Sequence, residues 1–178
     1  MNAIKEHCLN ETSTDPYEIA CRLMDIKEIP MHGPIHHFLD GAAFLTALHN
    51  AGMEFDLDAS LDELGDRAAK MPGAICGMWG VCGSAASLGA ALAVIHGTGP
   101  LSDNDFYKDN LRLTSSILAR EAEIGGPRCC KRNCFTALLE GIAFVKEQYG
   151  VDLQKNTIIC RFHDRNPQCI KDRCPYHS

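Results

Sequence analysis

Helix breakers cut this 178-residue chain into blocks of helix length. Pro30, Gly52, Pro72-Gly73, Gly97, Gly125-Gly126-Pro127 and Gly150 stand between stretches with helical apolar spacing, and glycine and proline are the residues that end helices. Asp15-Pro16-Tyr17-Glu18 reads as a start: a cap, a proline in the first turn and a capping-box glutamate. Ile19, Leu23 and Ile26 follow as its apolar stripe. A second helix is expected from Ile35 to Ala51, and a third opens at Ser60 with Leu61, Leu64 and Ala68 inward. Residues 84–96 are small and apolar, which predicts a buried helix. A fifth is capped by Ser102 to Asp105 and runs to Glu123, and a sixth runs from the Gly-Gly-Pro break to Tyr149. The expectation is an all-α bundle of about six helices over residues 1–150. A Cys/His-rich, metal-binding C-terminal segment over 151–178 would hold at most a brief strand at Thr157 to Ile159.

Ten cysteines and eight histidines are the chemical signal. No apolar run approaches the ~18 residues of a membrane span, and Met1 to Thr14 is too polar for a signal peptide. A reducing cytoplasm is therefore expected, where clustered cysteines are metal ligands or redox groups rather than disulfides. Cys8 and Cys21 stand alone and read as small buried hydrophobes. Charge is uneven: residues 1–127 carry 8 Lys/Arg against 18 Asp/Glu, and residues 128–178 carry 9 against 5. The net charge of −6 argues against a whole-surface nucleic-acid binder.

Cys160, Cys169, Cys174 and His177 fall within 18 residues and can complete one tetrahedral zinc site. The segment around them has little apolar material, so a metal would supply its folding energy. The spacing resembles three-cysteine, one-histidine zinc fingers. That likeness implies single-stranded RNA contact through Arg161, Arg165, Lys171 and Arg173, with Phe162 and Tyr176 stacking on bases. Cys174-Pro175 is also similar to iron–sulfur ligand runs.

Cys129, Cys130 and Cys134 open the last helix, where free N–H groups and the dipole favour thiolates. Arg128, Lys131 and Arg132 add positive charge there and are candidate anion or substrate contacts. Cys129 or Cys130 is the expected reactive thiol. Cys76 and Cys82 flank a glycine-rich turn. If the two loops face each other, Cys76, Cys82 and Cys134, with their neighbours, could hold an iron–sulfur cluster or a redox dithiol. His36 and Asp40 share a helix face at i and i+4, so Asp40 could orient His36 as a base or ligand. His32 precedes that helix and could converge on the same place, and His37 reads as a packing residue.

Taken together, Met31-His32-Gly33-Pro34 with His36-His37, Cys76-Gly77 with Trp79-Gly80 and Cys82-Gly83, Gly125 to Arg132, and Cys169 with Cys174-Pro175 and His177 resemble an uncharacterised family of prokaryotic proteins. Val81-Cys82-Gly83 and the following helix are similar to small helical cysteine-rich proteins thought to be redox-active. Both resemblances imply an anaerobic bacterial or archaeal source. The leading expectation is a cytoplasmic metalloprotein for redox, sulfur or one-carbon chemistry, acting on a small molecule or a redox partner protein. A zinc-stabilised module contacting RNA or an acidic partner is the alternative, and an all-zinc assembly component is a third. A Gly/Ala-rich helical surface would suit a homodimer.

Overall fold

The computed structural model describes residues 1–178 and is all-helical. Eight α-helices run in order: α1 (Asn2–Leu9), α2 (Pro16–Met24), α3 (His36–Asn50), α4 (Leu57–Ala69), α5 (Ile75–Met78), α6 (Gly83–Ile95), α7 (Asp105–Ile124) and α8 (Cys130–Tyr149). The tail holds two 3₁₀ turns, His163–Arg165 and Lys171–Arg173, and no strand forms at Thr157 to Ile159.

The expected starts and stops are where the sequence puts them. Asp15 caps α2 by accepting the Tyr17 and Glu18 N–H groups, and Asn104 caps α7 at Tyr107. Gly52, Gly97 and Gly150 close α3, α6 and α8 with φ of 93°, 60° and 69°, a region that disfavours other residues. Two helices were not anticipated. The polar N-terminal segment forms α1, anchored by buried Ile4 and Cys8. The expected tight loop at Cys76 contains the single turn α5. The third helix begins at Leu57, not Ser60, because Asp56 rather than Ser60 is its cap.

α3 is the central element. Every residue from His36 to Leu48 is buried, and α1, α2, α4, α6 and α8 all pack against it. A helix buried all round must meet its neighbours closely, and small residues make room. Gly41 donates its N–H to Ser87 Oγ at 2.9 Å, and a Cβ there would lie 2.9 Å from the Ser87 carbonyl. The small residues of α6 are used the same way, against α3 and α7 within the chain.

The C-terminal segment is sewn onto the bundle. Gln154 N–H reaches Thr14 O, Asn156 N–H reaches Asp15 Oδ2, and Tyr17 OH donates to Ile159 O at 2.7 Å. Leu153, Phe162 and Tyr176 belong to the one hydrophobic core. Phe162 and Tyr176 are thus core residues and cannot serve as base-stacking platforms. Arg161 and Arg165 lie over the Phe162 ring and face Asp25.

Two glycine substitutions separate tight from loose packing. Gly41→Ala should lower stability by about 1–3 kcal/mol, because the α6 backbone cannot yield. Gly65→Ala meets mainly the methyl of Met1, so helix propensity should dominate and stability rise by up to ~1 kcal/mol. Thermal unfolding of the two variants checks this, and an equal gain in both would contradict the tight α3–α6 contact.

Candidate thiol and metal site

The first turn of α8 sits between two cavities, and all the candidate site residues but Asp40 and Cys134 line one or the other, or both. The Gly125-Gly126-Pro127 break, with a cis Gly126–Pro127 bond, turns the chain into α8. Cys129 is the N-cap, and its Sγ accepts the Arg132 N–H at 3.4 Å. Asn166, from the tail, donates Nδ2 to the same sulfur at 3.4 Å while its Oδ1 meets His32 Nε2 at 3.1 Å. His32 Nδ1 in turn accepts the Cys130 N–H at 3.3 Å. One asparagine thus ties α8, the His32 loop and the tail together.

On the tail side is a void of about 10 Å³, walled by Cys129, Cys160, Cys169 and Cys174 together with His163 and His177. It has room for a single ion or about one water. The expected set Cys160, Cys169, Cys174 and His177 is brought together here, with Cys129 added from the bundle. Each of the four sulfurs accepts a backbone N–H. Phe162 donates to Cys160, Tyr176 to Cys174, Lys171 to Cys169 at 3.4 Å, and Arg132 to Cys129. Burial holds the Cys160 and Cys174 thiols above their ordinary range, the N–H groups pull down, and the neighbouring sulfurs, Cys129 among them, push up again. His177 Nδ1 instead faces Asp172 Oδ1 at 3.6 Å. No three His, Cys, Asp or Glu side chains close on one point at metal-ligand geometry.

Lys131 and Arg132 line the same void and are only 2% and 4% exposed. They were expected on an open anion site. Instead Lys131 Nζ donates to Pro30 O at 3.2 Å and approaches His36 Nε2 at 3.1 Å, and Arg132 donates to Gly125 O and Pro127 O. Neither forms an ion pair, and Arg132 Nε has no partner. Burial lowers the Lys131 pKa.

On the other side, a cleft of about 190 Å³ is lined by Cys76, Cys82 and Cys130 with His36, His37 and Arg128. It adjoins a second of about 390 Å³, which shares Cys76, Cys82, Arg128 and Asn133 and adds Glu121 and Arg132. The two cysteine loops therefore do meet. Cys134 lines neither cavity: it is fully buried beside Asp40, and burial with that carboxylate holds its thiol well above the ordinary range. Burial also pushes Cys130 up to about 11, opposite to the lowering expected at a helix start. His36 and Asp40 do share a face, but Nδ1 and Oδ1 are 3.8 Å apart, too far for a hydrogen bond. Neither Asp40 oxygen has an N–H or O–H donor, and the Cys134 thiol is the one group that bonds this carboxylate. Cys8 and Cys21 are core residues, as expected, with thiols raised to about 11 by burial.

Glu121 and Asn166 were not anticipated. Glu121 follows buried Leu113 and Ile117 at four-residue steps on α7, and a carboxylate on an apolar stripe is a legible signal. Burial raises its pKa, with Asp40 adding and Arg132 opposing. Asn166 has no such signal, since the partners it ties together, Cys129 and His32, lie 37 and 134 residues away.

What these elements define is a helical, cysteine-rich protein with a thiol-walled void on one side of a helix start and a thiol-lined cleft on the other. The chain belongs to a family of unknown function, DUF5714, whose model matches residues 4–177. No curated protein and no solved structure matches it. No helix is long and apolar enough to cross a membrane.

A pH dependence follows from Glu121. Its folded-state pKa is raised, so the folded chain keeps a proton that the unfolded chain releases. Its contribution to stability is therefore lost as pH rises above the ordinary glutamate value of 4.5. Glu121→Gln should flatten that part of the curve. Urea unfolding between about pH 4 and 8 tests it, and an unchanged slope would contradict the buried carboxyl.

Proposed function

We propose that this protein is a cytoplasmic metalloprotein that holds one zinc ion through Cys129, Cys160, Cys169 and Cys174. Beside that site, the thiol-lined cleft carries redox or sulfur chemistry on a small molecule. The observation that carries the reading is the set of four sulfurs on one ion-sized void, each accepting a backbone N–H. Such hydrogen bonds favour the thiolate form and tune bound metals. Four soft thiolates suit zinc or iron in tetrahedral geometry.

Charge balance supports the same reading. Burying a cation without a counter-charge is costly. A divalent ion with four thiolates carries net negative charge, and Lys131 and Arg132 would offset it from the wall of the void. In this reading Cys129 replaces His177 as the fourth ligand, and His163 and His177 form an outer layer. When bound, the metal would fix the tail on the bundle, and with it Asn166 and the His32 loop. With Cys134 sealed in the core, Cys76, Cys82 and Cys130 are read as thiols rather than cluster ligands. A basic nucleic-acid face is less well supported, because its aromatic residues are in the core.

Metal analysis on protein purified without oxygen tests this. About one zinc per chain is expected. It should be lost in Cys129→Ser and in Cys160→Ser but kept in His177→Ala. Chelation should lower Tm and open residues 151–178 to protease, since a structural zinc supplies folding energy. If the serine variants fold poorly, cobalt substitution of the wild type keeps the test open, with intense sulfur-to-cobalt bands expected. Zinc retained in Cys129→Ser, or iron with acid-labile sulfide in its place, would overturn the assignment.

A further inference from the structure

We propose that Cys82 is the attacking thiol of the cleft, that the Glu121 carboxylate is its general base, and that the substrate is a small anionic disulfide. This rests on the reading of the cleft as a thiol site. Of Cys76, Cys82 and Cys130, only Cys82 has a side-chain hydrogen-bond donor: Asn133 Nδ2 lies 3.1 Å from its Sγ. It is also the N-cap of α6, a helix of 13 residues, and the Ser84 N–H is directed to its sulfur. An amide donor, a backbone donor and a helix N-terminus all stabilise sulfur as it becomes negative.

The base is placed by packing. Glu121 projects from α7 against Cys82, with both carboxylate oxygens shielded from water and the Cys82 thiol as their one hydrogen-bond donor. A buried carboxylate with no donor but the thiol it faces is a poor anion and a good acceptor for that thiol's proton. Arg132 from α8 and Asp40 from α3 are the other charged groups whose fields reach it.

The ligand side is built as well. His37 is 8% exposed, lines the cleft and has an unpartnered Nδ1. Its ring lies so close to Gly83 that a Cβ there would be 2.0 Å from it, so only glycine lets the start of α6 reach the cleft wall. Arg128 lines both cavities from an exposed position and supplies the cation that selects an anion. The cleft of about 190 Å³ and the adjoining one of about 390 Å³, which share Cys82 and Arg128, together fall in the range of small-molecule pockets, roughly 300–1,000 Å³, so the substrate is a small molecule.

The step balances within the site. The Cys82 proton passes to Glu121, and the sulfur attacks one sulfur of the disulfide. The substrate S–S bond breaks, and its electron pair leaves on the second sulfur. That sulfur departs as a thiolate and takes the proton back from Glu121. Cys82 is oxidised to a mixed disulfide and the leaving half is reduced to a thiol. Cys76 and Cys130 on the same wall are the thiols placed to receive the next exchange.

The test is exchange kinetics on the full chain, prepared without oxygen, with dithiodiglycolate as the anionic disulfide and hydroxyethyl disulfide as the neutral one. Peptide mass spectrometry locates the first mixed disulfide. Cys82 should be modified first, and faster by the anion. Glu121→Gln should slow the step by about 10²-fold near neutral pH, with the gap closing as pH rises and hydroxide does the base's work. Arg128→Ala should remove only the preference for the anion. First labelling at Cys76 or Cys130, or an unchanged rate in Glu121→Gln, would overturn this assignment and leave the thiol cleft standing. If no cleft cysteine reacts faster than in the urea-unfolded chain, both fail.

Discussion

The first turn of α8 is pinned from two directions, and the sites on either side depend on that. Cys129 accepts one hydrogen bond from its own helix and one from Asn166 in the tail, and Asn166 holds His32 from the loop before α3. Three segments more than 30 residues apart in the chain therefore share one buried polar junction. A buried hydrogen bond contributes only about 1 kcal/mol net, but leaving such groups unpaired costs about 1–3 kcal/mol each. The junction is thus more a device for specifying one arrangement than a large source of stability. It sets the tail cysteines against Cys129 and leaves Cys130 facing the opposite cleft.

Burial, not the helix dipole, governs the thiols. A helix N-terminus is worth about 0.3–1 kcal/mol to an anion, whereas full desolvation can move a pKa by up to 3–5 units at about 1.36 kcal/mol each. Cys130 and Cys134 fall on the losing side of that balance despite three basic neighbours in sequence. Cys82 is also held above the ordinary thiol range by burial and by the charge of Glu121, yet it has two donors that work the other way. A thiol of that kind stays protonated at rest and ionises only with a base beside it.

Much of the bundle was legible in the sequence because its signals are local. Asp15, Asn104, Gly52, Gly97 and Gly150 act within a few residues of where they stand, and each does what its chemistry predicts. The meeting of the Cys76–Cys82 loop with the α8 start was only a condition in the sequence, since glycines and cysteines permit it without fixing it. The orientation of the cysteines was not legible. Cys130 and Cys134 share a helical face in a helical projection, but α8 rotates so that one meets the cleft and the other Asp40 in the core. Cys129 at the tail void is a tertiary outcome that no spacing encodes, since 31 residues separate it from Cys160. The aromatic residues of the tail, Phe162 and Tyr176, read as ligand-facing because the segment is polar around them. They are instead what docks it.

The central claim is that four sulfurs, one of them from the bundle, share a single metal ion. X-ray absorption at the metal edge reads the donor set directly, independent of activity and of any variant. The account predicts four sulfur scatterers at about 2.3 Å and no nitrogen. A shell of three sulfurs with one nitrogen at about 2.0–2.1 Å would return the fourth position to a histidine and contradict the placement of Cys129.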